Sequence, residues 1–150
     1  MLALLVLLAG APDAGKLPPA PTPREMAQLY FLAGDLSRAI DAGRNCLKIE
    51  KKKCEAMYRA LVEYEALIRR SDQLTPAEVK SYLEWDRLIS PKEPGKLTKP
   101  VLQRYIEEPI AAARIALQAG DKAAAKRAAE RVLQMDPKNA DAKEVLQASQ

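Results

Sequence analysis

Two cysteines, a lysine cluster, two carboxylate pairs and one glycine-bracketed loop are the groups of this chain whose pattern suggests reactivity or binding. Cys46 and Cys54 could form a disulfide or stay as two thiols. Lys48, Lys51, Lys52 and Lys53 surround Glu50 and concentrate positive charge of the kind that meets an anionic surface. Glu63 with Glu65, and Glu107 with Glu108, bring carboxylates close together in sequence, as acid-base catalysis requires in space. Residues 10–16, GAPDAGK, spell the glycine-lysine frame of a phosphate-binding loop.

Most of this chemistry dissolves when the neighbouring residues are read. A phosphate loop needs Ser or Thr after its lysine and then a helix whose N-terminus faces the phosphates. Here Leu17 follows Lys16, and Pro18, Pro19, Pro21 and Pro23 favour extended chain. Carboxylates one or two positions apart on a helix point in different directions, so both glutamate pairs read as surface charge. The chain has no histidine, which excludes a Ser-His-Asp triad, a Cys-His pair and a His-ligated zinc. Two cysteines are too few for a four-Cys zinc or iron-sulfur site. The expectation is a non-catalytic protein without metal or cofactor. A net charge of +4 is also too small by itself to indicate nucleic-acid binding, so nucleic acid is not an expected partner.

The N-terminus points to export. Residues 2–9, LALLVLLA, are continuously apolar but far short of the roughly 20 that a helix needs to cross a bilayer. Ala9-Gly10-Ala11 supplies small residues at alternate positions, as a signal peptidase reads them. A signal peptide over residues 1–11, with cleavage as late as residue 15, and a Pro-rich linker over 12–22 are expected. The bacterial periplasm or an equivalent exported compartment is the expected location, and any membrane association is peripheral. In that setting Cys46 and Cys54 read as a clamp across a turn. On one continuous helix they would lie about 12 Å apart, and two buried free thiols are the alternative.

Helical signals dominate from Pro23 onward. Met26, Leu29, Tyr30 and Ala33 recur at three- and four-residue steps, and Gly34-Asp35 stops one helix and caps the next. Helices are expected over about 36–49 and 54–70, with the lysine-rich residues between them forming a basic turn that reads first as a solvated loop and otherwise as a contact for an acidic protein, lipid headgroups or a cell-wall polymer. Gly43 within the first of these, costly in a helix interior, reads either as a close helix crossing or as a merely tolerated glycine. Thr75-Pro76-Ala77-Glu78 is a capping box with proline at the first helical position, starting a helix that ends near Ile89. On it, Tyr82 and Trp85 read as core residues or as aromatic anchors for a partner. Residues 90–99 form a connector broken by Pro91, Pro94 and Gly95. Further helices are expected from about Pro100, with a kink or restart at Pro109, then over 121–135 and 138–148.

The chain also repeats itself. Laying residues 33–56 over 119–142 matches Gly34 with Gly120, Asp35 with Asp121, Ala39 with Ala125, Ala42 with Ala128 and Leu47 with Leu133. A Gly-Asp turn, a small residue where paired helices touch and a closing proline, here Pro137, resemble the tetratricopeptide repeat, a helical hairpin of 34 residues. The first unit has Lys51 where the proline falls, and the middle unit, residues 54–91, keeps Pro91 but lacks Gly-Asp. The resemblance spans residues 23–150 and implies an all-α fold, a right-handed superhelix of three stacked hairpins closed by a polar last helix. It also implies a concave groove lined by the first helix of each unit. Carried over by position, the groove residues are Arg24, Gln28 and Phe31, then Tyr58, Val62 and Glu65, then Ile110, Arg114 and Leu117.

The resemblance therefore implies an interaction or scaffold module that receives a segment of another protein, with envelope assembly as one setting. The alternative is a surface-associating protein whose basic turn binds anionic lipid or polymer.

Overall fold

A computed structural model describes residue 15 and residues 17–150. The expected signal peptide, the start of the linker and nearly all of the phosphate-loop-like stretch lie outside the described residues. The described chain is all-helical, and no strand occurs among these residues. In order come α1 (Pro23–Ala33), α2 (Leu36–Ile68), α3 (Pro76–Ile89), α4 (Lys99–Leu102), a π turn (Gln103–Glu107), α5 (Glu108–Gln118), α6 (Lys122–Met135) and α7 (Ala140–Ala148). Among the described residues, no helix is long and apolar enough to cross a membrane.

Local chemistry explains most of these boundaries. Thr22 accepts the Glu25 amide while the Glu25 carboxylate accepts the Thr22 amide at 2.7 Å, and Thr75 with Glu78 repeats the arrangement at α3. Gly34 and Gly120 adopt φ of 84° and 80°, the left-handed conformation that glycine reaches without a Cβ penalty. Each then passes the chain to an aspartate cap: Asp35 accepts the Arg38 amide at 3.1 Å, and Asp121 accepts the Ala124 amide at 2.9 Å.

The internal register extends to a third copy. α3 and α6 each run for 14 residues, and the first arm of α2, residues 36–49, matches them. The three caps are Asp35, Thr75 and Asp121. Four residues beyond each cap stand Ala39, Val79 and Ala125, all fully buried. After the last residue of each helix the backbone bends the same way, at Glu50 (φ −135°, ψ 65°), Ser90 (φ −132°, ψ 83°) and Asp136 (φ −135°, ψ 85°).

Beyond the first bend the chain departs from expectation. A turn was expected before a new helix at Cys54, but helical conformation resumes immediately after Glu50, the one non-helical residue inside α2. The expected basic turn is thus a kink. Lys48, Lys51, Lys52 and Lys53 are all exposed around it, and Lys53 pairs with Glu50 at 2.8 Å. The kink folds the helix back enough to bring Cys46 and Cys54 to a Cα separation of 5.8 Å, where they are joined as a disulfide, both buried. The two arms of α2 approach closely at Gly43, where an added Cβ would lie 3.1 Å from Leu61 and 3.3 Å from the Tyr58 ring.

Pro109 stands in the first turn of α5, directly after the π turn, with helical backbone on both sides. Proline lacks the amide proton and crowds the carbonyl four residues back. The preceding π turn lets the Glu108 amide reach Gln103, so α4, the π turn and α5 run without interruption. α7 starts at Ala140, two residues later than expected, because Asn139 caps it by accepting the Ala142 amide at 2.9 Å.

α1 packs on α2, α2 on α3 and α3 on α6, while α5, α6 and α7 pack together. At the centre, the Phe31 and Tyr64 rings meet edge to face at 4.9 Å, and Tyr64 stacks on Tyr82 at 4.2 Å. A smaller cluster of Ala113, Ala125, Ala129 and Val145 joins α5, α6 and α7, its small residues allowing close approach. Arg87 on α3 reaches Asp136 at the end of α6, at 3.0 Å.

Candidate functional site

The structure does not bring the nine expected groove residues onto one surface. Phe31 and Ile110 are buried in the main core, 2% and 5% exposed, and the connector closes over Phe31 at Gly95. Gln28 is half-buried and its side-chain amide donates to the Ile89 carbonyl at 2.9 Å, tying α1 to the end of α3. Arg114 points at the last helix, pairing with Asp141 at 2.6 Å and with Glu144 at 3.7 Å. Leu117 packs beside the alanine cluster that also holds α7. Arg24 is exposed, and the half-buried Glu65 pairs along its own helix with Arg69 at 3.5 Å. Tyr58 and Val62 share a concavity.

That concavity, of about 350 Å³, lies along α2 beside the disulfide. Leu47 from the first arm and Tyr58 and Val62 from the second form its apolar part; Val62 is 41% exposed and Tyr58 half-buried. Lys51 and Arg59 bring positive charge, and Glu55 and Glu63 negative charge. The kink creates the shape: a straight helix would present these side chains along a convex surface, whereas two arms meeting at Glu50 form a notch between them. The disulfide joins the two arms across the kink. The mixture of apolar floor and both signs of charge suits an amphipathic or extended peptide segment.

The connector between α3 and α4 is packed rather than free, held by a buried polar cluster that the sequence reading missed. Asp86 is 4% exposed and accepts the Gly95 amide at 3.0 Å and the Thr98 hydroxyl. Because Thr98 gives its proton to Asp86, the Tyr64 hydroxyl, 2.8 Å away, donates to Thr98. Gly95 lies so close to Phe31 that an added Cβ would sit 2.6 Å from its ring. The Lys96 amide donates to the Leu32 carbonyl at 3.2 Å. Burial pushes the Asp86 carboxyl pKa above its ordinary value, with the Thr98 and Gly95 hydrogen bonds pulling the other way. Burial likewise pushes Tyr64 up to about 12 and raises Tyr82 as well. A signal for this cluster was present: Asp86 interrupts the apolar stripe of Val79, Tyr82, Leu83 and Ile89, a place where a carboxylate must find donors.

The remaining candidates resolve simply. Tyr82 is fully buried, and Trp85 is half-buried against the same core. Glu63, Glu107 and Glu108 are exposed. No group of His, Cys, Asp or Glu among the described residues could hold a metal ion. Compared with protein-family models, with curated proteins and with solved structures, the chain matches none.

Proposed function

We propose that this protein is a non-catalytic interaction module of tetratricopeptide type, its hairpins stacked as a right-handed superhelix, that holds a segment of a partner protein. The observation that carries this reading is the threefold register: three 14-residue helices, each entered through Asp or Thr and left through the same bend. Stacked helical hairpins with so regular a register commonly serve as binding scaffolds. The docking place is the α2 notch with Tyr58, Val62 and Lys51, in place of the dispersed groove. A buried disulfide persists in an oxidising compartment, which favours export to a periplasm-like space.

The test uses the full chain, tagged and recovered from cells that make it. Val62→Glu places a charge on an exposed notch position without touching the core. Loss of one defined partner from this variant, with helical circular dichroism unchanged, supports the reading. Equal recovery by both proteins rejects the notch.

A second reading is favoured by one residue. Ile49 is 71% exposed, although its counterparts Ile89 and Met135 are 0% and 2% exposed. It stands among Lys48, Lys51 and Lys52, so the kink presents an apolar tip within a basic collar, suited to an anionic lipid surface. Salt-sensitive binding to phosphatidylglycerol vesicles, lost in Ile49→Ser, would establish it; absence of binding removes it.

A further inference from the structure

Where the π turn faces α6, the fold opens a second cleft, of about 490 Å³. Tyr105 and Pro109 on one side and Ala128 and Met135 on the other give it an apolar floor. The Tyr105 ring is fixed in place because its hydroxyl accepts the Leu74 amide at 2.9 Å. Arg104, Arg127 and Arg131 stand around this floor, all exposed, with Asp72 also at the rim.

These arginines differ from most others in the chain. Arg38, Arg44, Arg69, Arg70, Arg87 and Arg114 each have a carboxylate partner. Of the arginines that form no ion pair among the described residues, Arg24 and Arg59 stand elsewhere, while Arg104, Arg127 and Arg131 gather at this one cleft. Arg127 and Arg131 are also spaced i,i+4 on α6, where like charges destabilise a helix. An arrangement that costs stability and faces an apolar hollow fits binding better than folding. The π turn contributes directly, since it carries Arg104 and Tyr105 to this wall, and such turns recur at functional sites.

We propose that this cleft binds an acidic segment of a partner protein, with an apolar side chain on the floor and carboxylates on the arginines. Guanidinium groups match carboxylates through paired hydrogen bonds. Arg127 and Arg131 are about 6 Å apart along the helix axis, with Arg104 on the facing wall. Charges spread in this way suit separate carboxylates along a chain rather than one compact anion. The cleft shares no lining residue with the α2 notch, so variants can address each site separately.

The experiment measures fluorescence anisotropy of a fluorescein-labelled synthetic peptide of alternating glutamate and leucine, titrated with the full chain. Saturable binding is expected, weakened at least about tenfold when glutamine replaces glutamate or serine replaces leucine. Arg127→Ala with Arg131→Ala should weaken it similarly, as should Ala124→Trp, which fills the cleft and leaves its charges intact. Val62→Glu should leave it unchanged, so failure here is distinguishable from failure at the notch. Absence of saturable binding, or equal binding by the glutamine peptide or by either cleft variant, overturns the proposal. Displacement by stoichiometric tripolyphosphate would assign the site to a compact anion and also overturn it.

Discussion

Glu50 and Asp136 share a backbone φ of −135°, yet only Asp136 is followed by a proline. Proline restricts its predecessor to extended conformations, which accounts for the bends at Asp136 and at Ser90 before Pro91. Lys51 imposes no such restriction on Glu50. The Cys46–Cys54 disulfide spans this bend and does by covalent closure what proline does elsewhere.

Removing the disulfide with Cys46→Ser and Cys54→Ser should cost about 2.5 kcal/mol, the loop-closure contribution for so short a loop. Adding Lys51→Pro should restore about 0.5 to 1 kcal/mol by narrowing the unfolded ensemble at a position whose bend proline accommodates. Urea unfolding of the three proteins measures both effects. A Lys51→Pro change that destabilises further would show that the bend at Glu50 is not equivalent to the other two.

The connector should be the most substitution-sensitive loop. Thr98→Val removes a donor from Asp86 and the acceptor of Tyr64, and should cost about 2 kcal/mol or more. Gly95→Ala drives a methyl group into Phe31 and should cost about 1 to 3 kcal/mol. Thermal unfolding checks both; neutral behaviour in either would mean that the connector is loose on the core.

Asp86 sets a specific pH dependence. Its folded pKa lies above the ordinary 3.8, so the folded chain holds the proton more tightly than the unfolded chain does. Its contribution is therefore fully present below 3.8 and is lost as pH rises through the folded value. Arg87, Lys92 and Glu93 border the same small cavity, so the comparison must isolate Asp86. Asp86→Asn keeps an acceptor for Gly95 and Thr98 without a charge. Its stability relative to the parent should rise with pH above 3.8, measured by urea titration across the acidic range; a fall would reverse the assignment.

Arg114→Ala distinguishes the notch from the dispersed groove. Both ion pairs of Arg114 are solvent-exposed, so the change should cost less than about 1 kcal/mol. Amide exchange should quicken in α7 while partner recovery stays unchanged. Lost recovery with α7 protection intact would return Arg114 to the interface.

The hairpins were legible because their determinants are local: Gly34-Asp35, Gly120-Asp121 and the Thr75 capping box act within a few residues of themselves. Pro109 was legible as a disturbance, but no residue type in Gln103–Glu107 announces the π turn that precedes it. The groove was not legible, because Phe31 is covered by a connector that its own prolines and glycine made look like free chain. The ion pairs of Arg114 were not legible for a related reason: its partners, Asp141 and Glu144, lie on another helix. The arginine cleft left a faint trace in the i,i+4 spacing of Arg127 and Arg131, which means little until the facing wall is known.

Photo-crosslinking from position 62 in the living cell decides whether the α2 notch receives a partner. With a benzophenone side chain in place of Val62, one discrete adduct with a partner protein is expected. That adduct should disappear when Tyr58→Ala is added and be absent when the probe stands instead at the exposed Leu88. The same adducts from both positions, or no adduct from position 62, would contradict a docking site in the notch.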